Sequence, residues 1–476
     1  MFEERDTKAP KQGEFWVVRD DLPSATAGTF YRKLDETLRG IGFAEQVREV
    51  CRPAYQDASG GGRPGIDPAV YFKMLMIGFF ENLPSERAIA SRCEDSLSLR
   101  AFLGYDLTED TPEHSSLSVI RTRLGGEVYQ AALEIVLKGL RQHKLLKGRN
   151  LGIDSSIIEA NASLRELQHR NTEEDYWSYV KKLAAEAGID PDDTKAVRRF
   201  DKKRKGRKTS NEDWVNPHDD EAKVGRTKDG ACDMVYKPEH LTDLETGAII
   251  RVEVRAGDAG DSEALCERVL EGCKTLARVC DDPLQEKVGQ SITTDEGYFS
   301  VEEVCALQSE GIRTVMGDPH ATRRCKKKQC KVTRQTLNKA RRAVKSKSGK
   351  ALLRKRGEHL ERSFAHVLDH GGMRRATLRG TENLTKRLTA AALGYDLSLL
   401  MRKLFGVGTP KQWVAKAHFC VLWLLKQSQA ALRSFNAVIR MLVSKCDRNI
   451  AIIESIRDRL QTASVTTGKN HFSTGC

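Results

Sequence analysis

LLKGRNLGIDSSIIEANAS, Leu145 to Ser163, is the stretch on which the reading of this chain turns. Within it Leu151 and Ile153 point to one side of an extended run, Gly152 and Asp154 to the other, and Ile157 and Ile158 come next. Successive side chains of a strand face opposite ways, so the pattern predicts a buried strand with one carboxylate near its end. An aspartate there often does no more than start a turn. A buried carboxylate without a partner is costly, however, so Asp154 is expected to meet a cation, a hydrogen-bond network or solvent at the sheet's edge.

Working outward, 476 residues suffice for two or three domains, and 39% apolar with 30% charged residues fits a soluble globular protein. The net charge is +13, and its distribution matters more than its total. Between Arg323 and Arg356 there are 16 Lys or Arg and no acid, more than the whole excess. A second basic run, Lys195 to Lys208, is balanced by acids on both sides. Such blocks are commonly solvated or disordered, and their functional reading is a polyanionic partner. The 12 cysteines form no CxxC pair, and the opening MFEERDTK is acidic and polar, unlike a secretory leader. They read as reduced thiols of a cytoplasmic protein. Cys325 and Cys330 with His320 lack standard zinc spacing and an obvious fourth ligand. The apolar run Ala417 to Leu425 is too short to span a bilayer, which argues against a membrane protein.

Residues 1–145 read as all-helical. After the joint SGGGRPG (Ser59 to Gly65), a dense apolar helix runs through Tyr71, Met74, Leu75, Phe79 and Phe80. Two short helices come after it, SERAIASRC and SLSLRAFLG, in a pattern that suits either a helix-turn-helix or an ordinary bundle. In the first case Arg87, Arg92 and Arg100 could face phosphates. Thr111-Pro112 signals another helix start, with Gly125 as its end. Residues 146–380 read as an α/β core, interrupted by a polar insertion at about 165–230 and the basic segment at 323–356. Here MVYKPEHLTDL and GAIIRVEV, joined by Glu245-Thr246-Gly247, predict a hairpin. Asp261 is expected to cap a helix reaching about Ala277. GQSITTDEGYFS predicts a strand ending at Asp295, then a Ser300/Glu303 capping box, a helix and the strand IRTVM, making a β-α-β unit. Carboxyl ends of such strands are where α/β sheets place chemistry. Leu360, Phe364 and Val367 fall at helical spacing with Glu361 beside that seam. Residues 381–476 read as a C-terminal helical region, with a helix capped by Thr381, another from Trp413 to about Ile456, and a disordered tail from Thr462.

Asp154, Asp295 and Glu361 thus come from separate elements. Carboxylates that converge in this way can hold two divalent ions, which activate a water or a 3′-hydroxyl on one side of a phosphorus and stabilise the leaving oxygen on the other. In GIDSSIIEANAS, DWVNPHDDEAKVGRTKDG, YKPEHLTDLETGAII, TDEGYFS, ERSFAHV and RRATLRG, in this order, the chain resembles the DDE-type transposases of bacterial insertion sequences, from roughly Arg52 to Phe405.

The resemblance implies an RNase H-like mixed-sheet catalytic core and an all-α N-terminal domain that binds DNA. It implies Mg²⁺ or Mn²⁺, two ions per active site, held by Asp154, Asp295 and Glu361. The implied partners are double-stranded DNA, as terminal inverted repeats and as target, and further copies of the chain as a homo-oligomer on DNA, in the cytoplasm at the nucleoid. Candidate DNA contacts are Arg87, Arg92, Lys326, Lys327, Lys328, Arg341, Arg342, Arg356 and Arg362. Relatives often carry Tyr, Arg and Lys at fixed offsets from the glutamate, where this chain has Arg354, Gly357 and Leu368. Glu358 is a rival third ligand. Asp243 and Glu245 read as turn residues, His240 and His366 as ordinary polar residues, and Trp214 and Trp413 as packing anchors. The alternatives are a metal-dependent nuclease of the same fold and a catalytically inactive, domesticated DNA-binding protein.

Overall fold

Helices fill the first part of the chain: α1 (Thr26–Gly40), α2 (Phe43–Cys51), α3 (Pro68–Phe80), α4 (Glu86–Glu94), α5 (Leu97–Leu103), α6 (His114–Arg123) and α7 (Gly126–Gln142). The computed structural model describes residues 26–55, 65–170, 173–204, 211–227, 229–281, 287–319 and 331–467. Every residue of α3 is buried, as expected of a helix that is apolar all round. The charges in this bundle are buried in pairs, Arg48 with Asp67 at 2.7 Å and Lys73 with Asp35 at 2.7 Å. Ser85 and Ser96 cap α4 and α5 by accepting from the Ala88 and Leu99 amides. The Thr111-Pro112 signal is overridden: α6 begins at His114 with Glu113 at its N-cap. The loop before it is tied down by Arg100, whose guanidinium donates to the carbonyls of Asp106, Leu107 and Glu109.

The core continues as β1 (Asn150–Ser155), β2 (Ile158–Glu159), β3 (Gln168–His169), α8 (Tyr176–Glu186), α9 (Thr194–Lys203), β4 (Trp214–Val215), β5 (Lys223–Arg226), β6 (Cys232–Asp243) and β7 (Ile249–Ala256). Then come α10 (Leu265–Val279), β8 (Ser291–Thr293), α11 (Val301–Ser309), β9 (Arg313–Val315), α12 (Lys331–Lys345), α13 (Lys347–Phe364) and α14 (Thr381–Phe405). The sheet is mixed: β7, β6 and β1 pair antiparallel in that order, while β8 and β9 continue beyond β1 in parallel. The fold is thus α/β with an RNase H-like sheet and helical flanks. The predicted hairpin is β6–β7, closed where Gly247 adopts φ 84°. The β-α-β unit is β8–α11–β9 with its strands parallel. Gly152 is needed for packing, because a methyl group there would lie 2.5 Å from Leu244 Cδ2.

Two segments gain a structure, and two capping readings are corrected. The polar insertion is folded: α8 and α9 share a small core of Val180, Ala184 and Val197, against which Tyr176 and Phe200 pack. The described part of the basic segment is helical, and α12 buries Leu337 and Ala340 while Arg334, Lys339, Arg342 and Lys345 are exposed. Asp261 does not cap α10, whose N-cap is Ala264 at φ 51°. Ser300 makes no capping bond, and Glu303 instead accepts from the Cys266 amide at 2.6 Å.

Chain contacts divide the protein into two units after Pro410, and within the first α14 packs on α7, β7 and α3. Gly380, not Thr381, stands at its N-cap. The second unit, from Lys411, carries nearly all of α15 (Pro410–Thr467), so helix runs through the start of the tail expected to be disordered. Among the described residues no helix is long and apolar enough to cross a membrane.

His240 on β6 is fully buried, stacked on Phe364 with ring centroids 4.3 Å apart and bonded through Nδ1 to Ser363 Oγ at 3.0 Å. Burial pulls its pKa down from 6.5 to about 3. Unfolding frees a group that then takes up a proton below pH 6.5, so native stability drains away as pH falls from 6.5 towards 3. His240→Phe removes this term and keeps a ring on Phe364. Urea midpoints should therefore fall less steeply for the variant than for wild type across that window, and equal slopes would count against the buried neutral imidazole.

Candidate active site

β1 and β8 run parallel, with Gly152 opposite Thr293. Two residues beyond this pair are Asp154, still on β1, and Asp295, which opens the turn after β8, so two carboxylates come from neighbouring strands at the carboxyl edge of the sheet. Asp295 is fixed by the turn it begins: its Oδ1 accepts from the Gly297 amide at 3.0 Å. The turn is anchored by Tyr298, whose hydroxyl donates to Glu239 Oε2 at 2.8 Å. Glu239 is buried on β6 and also holds Arg268 at 2.5 Å.

Between the two aspartates lies a guanidinium. Arg356 of α13 places Nη2 2.8 Å from Asp154 Oδ2 and 3.6 Å from Asp295 Oδ2. Its side chain is 14% exposed, against 24% for Asp154 and 48% for Asp295, so the acids are more open to solvent than the cation that joins them. Burial pushes the Asp154 carboxyl above its ordinary value, with Arg356 pulling it down and Asp295 pushing it up. The Ser155 amide donates to Asp154 Oδ1 at 2.9 Å.

A third carboxylate borders this site, and it is Asp261. Its Oδ1 accepts from the Ser155 hydroxyl at 2.9 Å and pairs with Lys237 at 2.6 Å. A methyl group built at Gly297 would lie 3.3 Å from an oxygen of Asp261 and from one of Asp295, so both border the same small space. In the sequence Asp261 reads as a helix cap. The helix starts later, at Leu265, which leaves Asp261 in a loop that folds back on β1. No periodic signal could have found this contact.

Glu361 lies on α13 one residue past the buried Leu360 and is exposed, and Glu358 is exposed and paired with Arg362 at 2.7 Å. The structure brings Asp154 and Asp295 together and leaves Glu361 outside the pair. Among the described residues no group of three His, Cys, Asp or Glu side chains is placed to hold a metal ion. Asp243 is a turn residue, accepting from the Lys147 and Glu245 amides. Trp214 is buried among Tyr176, Tyr179 and His169.

A transposase domain model of otherwise undefined function matches residues 20–123, and a transposase DDE domain model matches residues 193–397. The chain is a DDE-type transposase of an insertion sequence. The DDE match takes in Asp295, Glu361 and Arg356, while Asp154 lies ahead of it. No curated protein and no solved structure matches the chain.

The arginines expected to meet DNA are placed unequally in this transposase. Arg87 and Arg342 are exposed. Arg92 stands 3.5 Å from Glu81, and Arg341 pairs at 2.6 Å with the buried Asp318. Arg356 is the bridge described above, and Arg362 pairs with Glu358. Lys326, Lys327 and Lys328, with Cys325, Cys330 and His320, fall outside the described residues.

Arg100 is a structural clamp and not a phosphate contact, since its guanidinium is occupied by carbonyls of the loop before α6. Arg100→Ala should cost about 1–3 kcal/mol in urea unfolding through the carbonyls left unpaired, while the salt slope of DNA binding stays unchanged.

Proposed function

We propose that this transposase cleaves DNA at the ends of its element and joins the freed 3′ ends to target DNA, using divalent cations held by Asp154, Asp295 and Glu361. The reading is supported above all by the convergence of two carboxylates, from neighbouring strand ends, on one positive charge. A locus that gathers a guanidinium between two acid oxygens suits Mg²⁺ or Mn²⁺, which take oxygen ligands. When bound, two such ions supply an activated water or 3′-hydroxyl and a counter-charge for the leaving oxygen.

The chain's own contribution is position. β1 and β8 hold the two acids in register, the Tyr298–Glu239 bond fixes the turn below Asp295, and Ser155 orients Asp154 through its amide. The exposed basic residues Arg342, Lys345, Lys347 and Lys350 line the helices leading to Arg356 and offer a track for phosphates. The α1–α7 bundle is the proposed reader of the terminal repeats, with Arg87 on its surface, and the active form is a homo-oligomer because two ends are held together.

Asp261 is the second candidate for the third acid, favoured by its place beside Asp295. Glu361→Gln and Asp261→Asn separate the two: the variant that loses Mg²⁺-dependent nicking of a labelled element end while still binding it identifies the ligand. Asp154→Asn should lose nicking and joining by at least about a hundredfold with DNA affinity retained, since a ligand serves the transition state. Cleavage without joining in wild type would favour the nuclease reading, and specific binding with neither would favour a domesticated DNA-binding protein. EDTA should abolish both reactions.

Neutralising Arg342, Lys345, Lys347 and Lys350 together should flatten the salt dependence of binding by close to one unit of slope per lost phosphate contact. An unchanged slope would place the DNA on another face.

A further inference from the structure

We propose that Arg356 is the resident counter-ion of the cation site and that a DNA phosphate draws it out, so that the site admits divalent metal when DNA is bound. This rests on the metal reading of Asp154 and Asp295. The guanidinium sits 2.8 Å and 3.6 Å from one oxygen of each acid. A divalent ion takes carboxylate oxygens at about 2.0–2.1 Å for magnesium, in the same space, so ion and guanidinium exclude one another.

Two features make the guanidinium exchangeable. Its hold on the pair is uneven, close on Asp154 and long on Asp295. Its Nε is buried without a hydrogen-bond partner, so the planar fork is incompletely used where it lies. A phosphate offers that fork two parallel charge-assisted bonds. Arg356 is also the last cation of the acid-free basic segment, about three turns of helix beyond Ser346, so a backbone lying on the exposed residues Lys347 and Lys350 arrives beside it.

With the acids stripped of Arg356, their mutual repulsion in a partly buried site raises the demand for a dication. Metal binding and DNA binding then strengthen one another by the same factor. The site in its resting state thus already contains its own competitor for the metal.

The test is Mn²⁺ affinity of the full chain, read from the electron paramagnetic resonance of free Mn²⁺, with and without a duplex carrying the element's terminus. Without DNA, Arg356→Gln should bind Mn²⁺ about tenfold more tightly than wild type. The duplex should raise wild-type affinity by a similar factor and leave that of the variant unchanged. Arg356→Lys keeps the charge and loses the fork, so it should fall between the two, and it carries the test if the glutamine variant does not fold. Equal Mn²⁺ affinity in wild type and both folded variants, with Asp154→Asn abolishing binding, would overturn the role of Arg356 and leave the metal site standing. Unaltered Mn²⁺ binding in Asp154→Asn would remove the metal reading, and the exchange with it.

Discussion

Two carboxylates forced together by a parallel register need a positive charge between them, and the rest of the site is arranged around that need. β1 and β8 share hydrogen bonds up to Gly152 and Thr293, so Asp154 and Asp295 cannot move apart without unpicking the centre of the sheet. Arg356 resolves the repulsion from a helix across the sheet face. It does so incompletely, because burial still leaves the Asp154 carboxyl above its ordinary pKa.

The same logic governs the layer beneath. Glu239, opposite Ser155 on β6, is buried and would be costly alone, but Arg268 and Tyr298 converge on it. Removing one partner of such a pair costs about 3–5 kcal/mol, because the other charge stays buried. The network therefore serves as scaffold: it ties α10 to the sheet and holds the turn that begins at Asp295. Asp261 and Lys237 repeat the device one step outward, where the pair is half-open to solvent. Charge pairing, more than apolar packing, fixes the side chains at this edge of the sheet.

Legibility in the sequence depends on range. The Asp154 strand, the β6–β7 hairpin and the β8–α11–β9 unit were legible because each rests on local periodicity and turn chemistry, as at Gly247. The helix carrying Leu360, Phe364 and Val367 was legible too, and all three are buried. Helix starts were less so. Asp261 and Thr111 look like caps, yet loop closure through Arg100 and Ser155 accompanies later helix starts, while Ser300 does stand at its N-cap but without a capping bond. Arg356 was visible as a basic residue in a basic run, and nothing in the run distinguishes it from Arg342. Its partners are about 60 and 200 residues away in sequence, beyond the reach of pattern.

The placement of Glu361 is set by the same helix. Five residues at about 100° each put it about 140° round α13 from Arg356. The face that carries Arg356 also buries Leu352, Leu360 and Ser363 against the sheet, so Glu361 is turned to solvent. In this structure α13 therefore presents the aspartates with Arg356 and not with Glu361. The helix ends in a π-helical turn, Ala365–Asp369, in which one extra residue per turn shifts the register of α13 against the residues beyond Asp369. Arg356 and Glu361 sit on the α13 side of that turn, with His240 stacked on Phe364 at its edge. The cation that balances the acid pair and the exposed Glu361 thus stand on different faces of one helix, whose regular path ends at that turn.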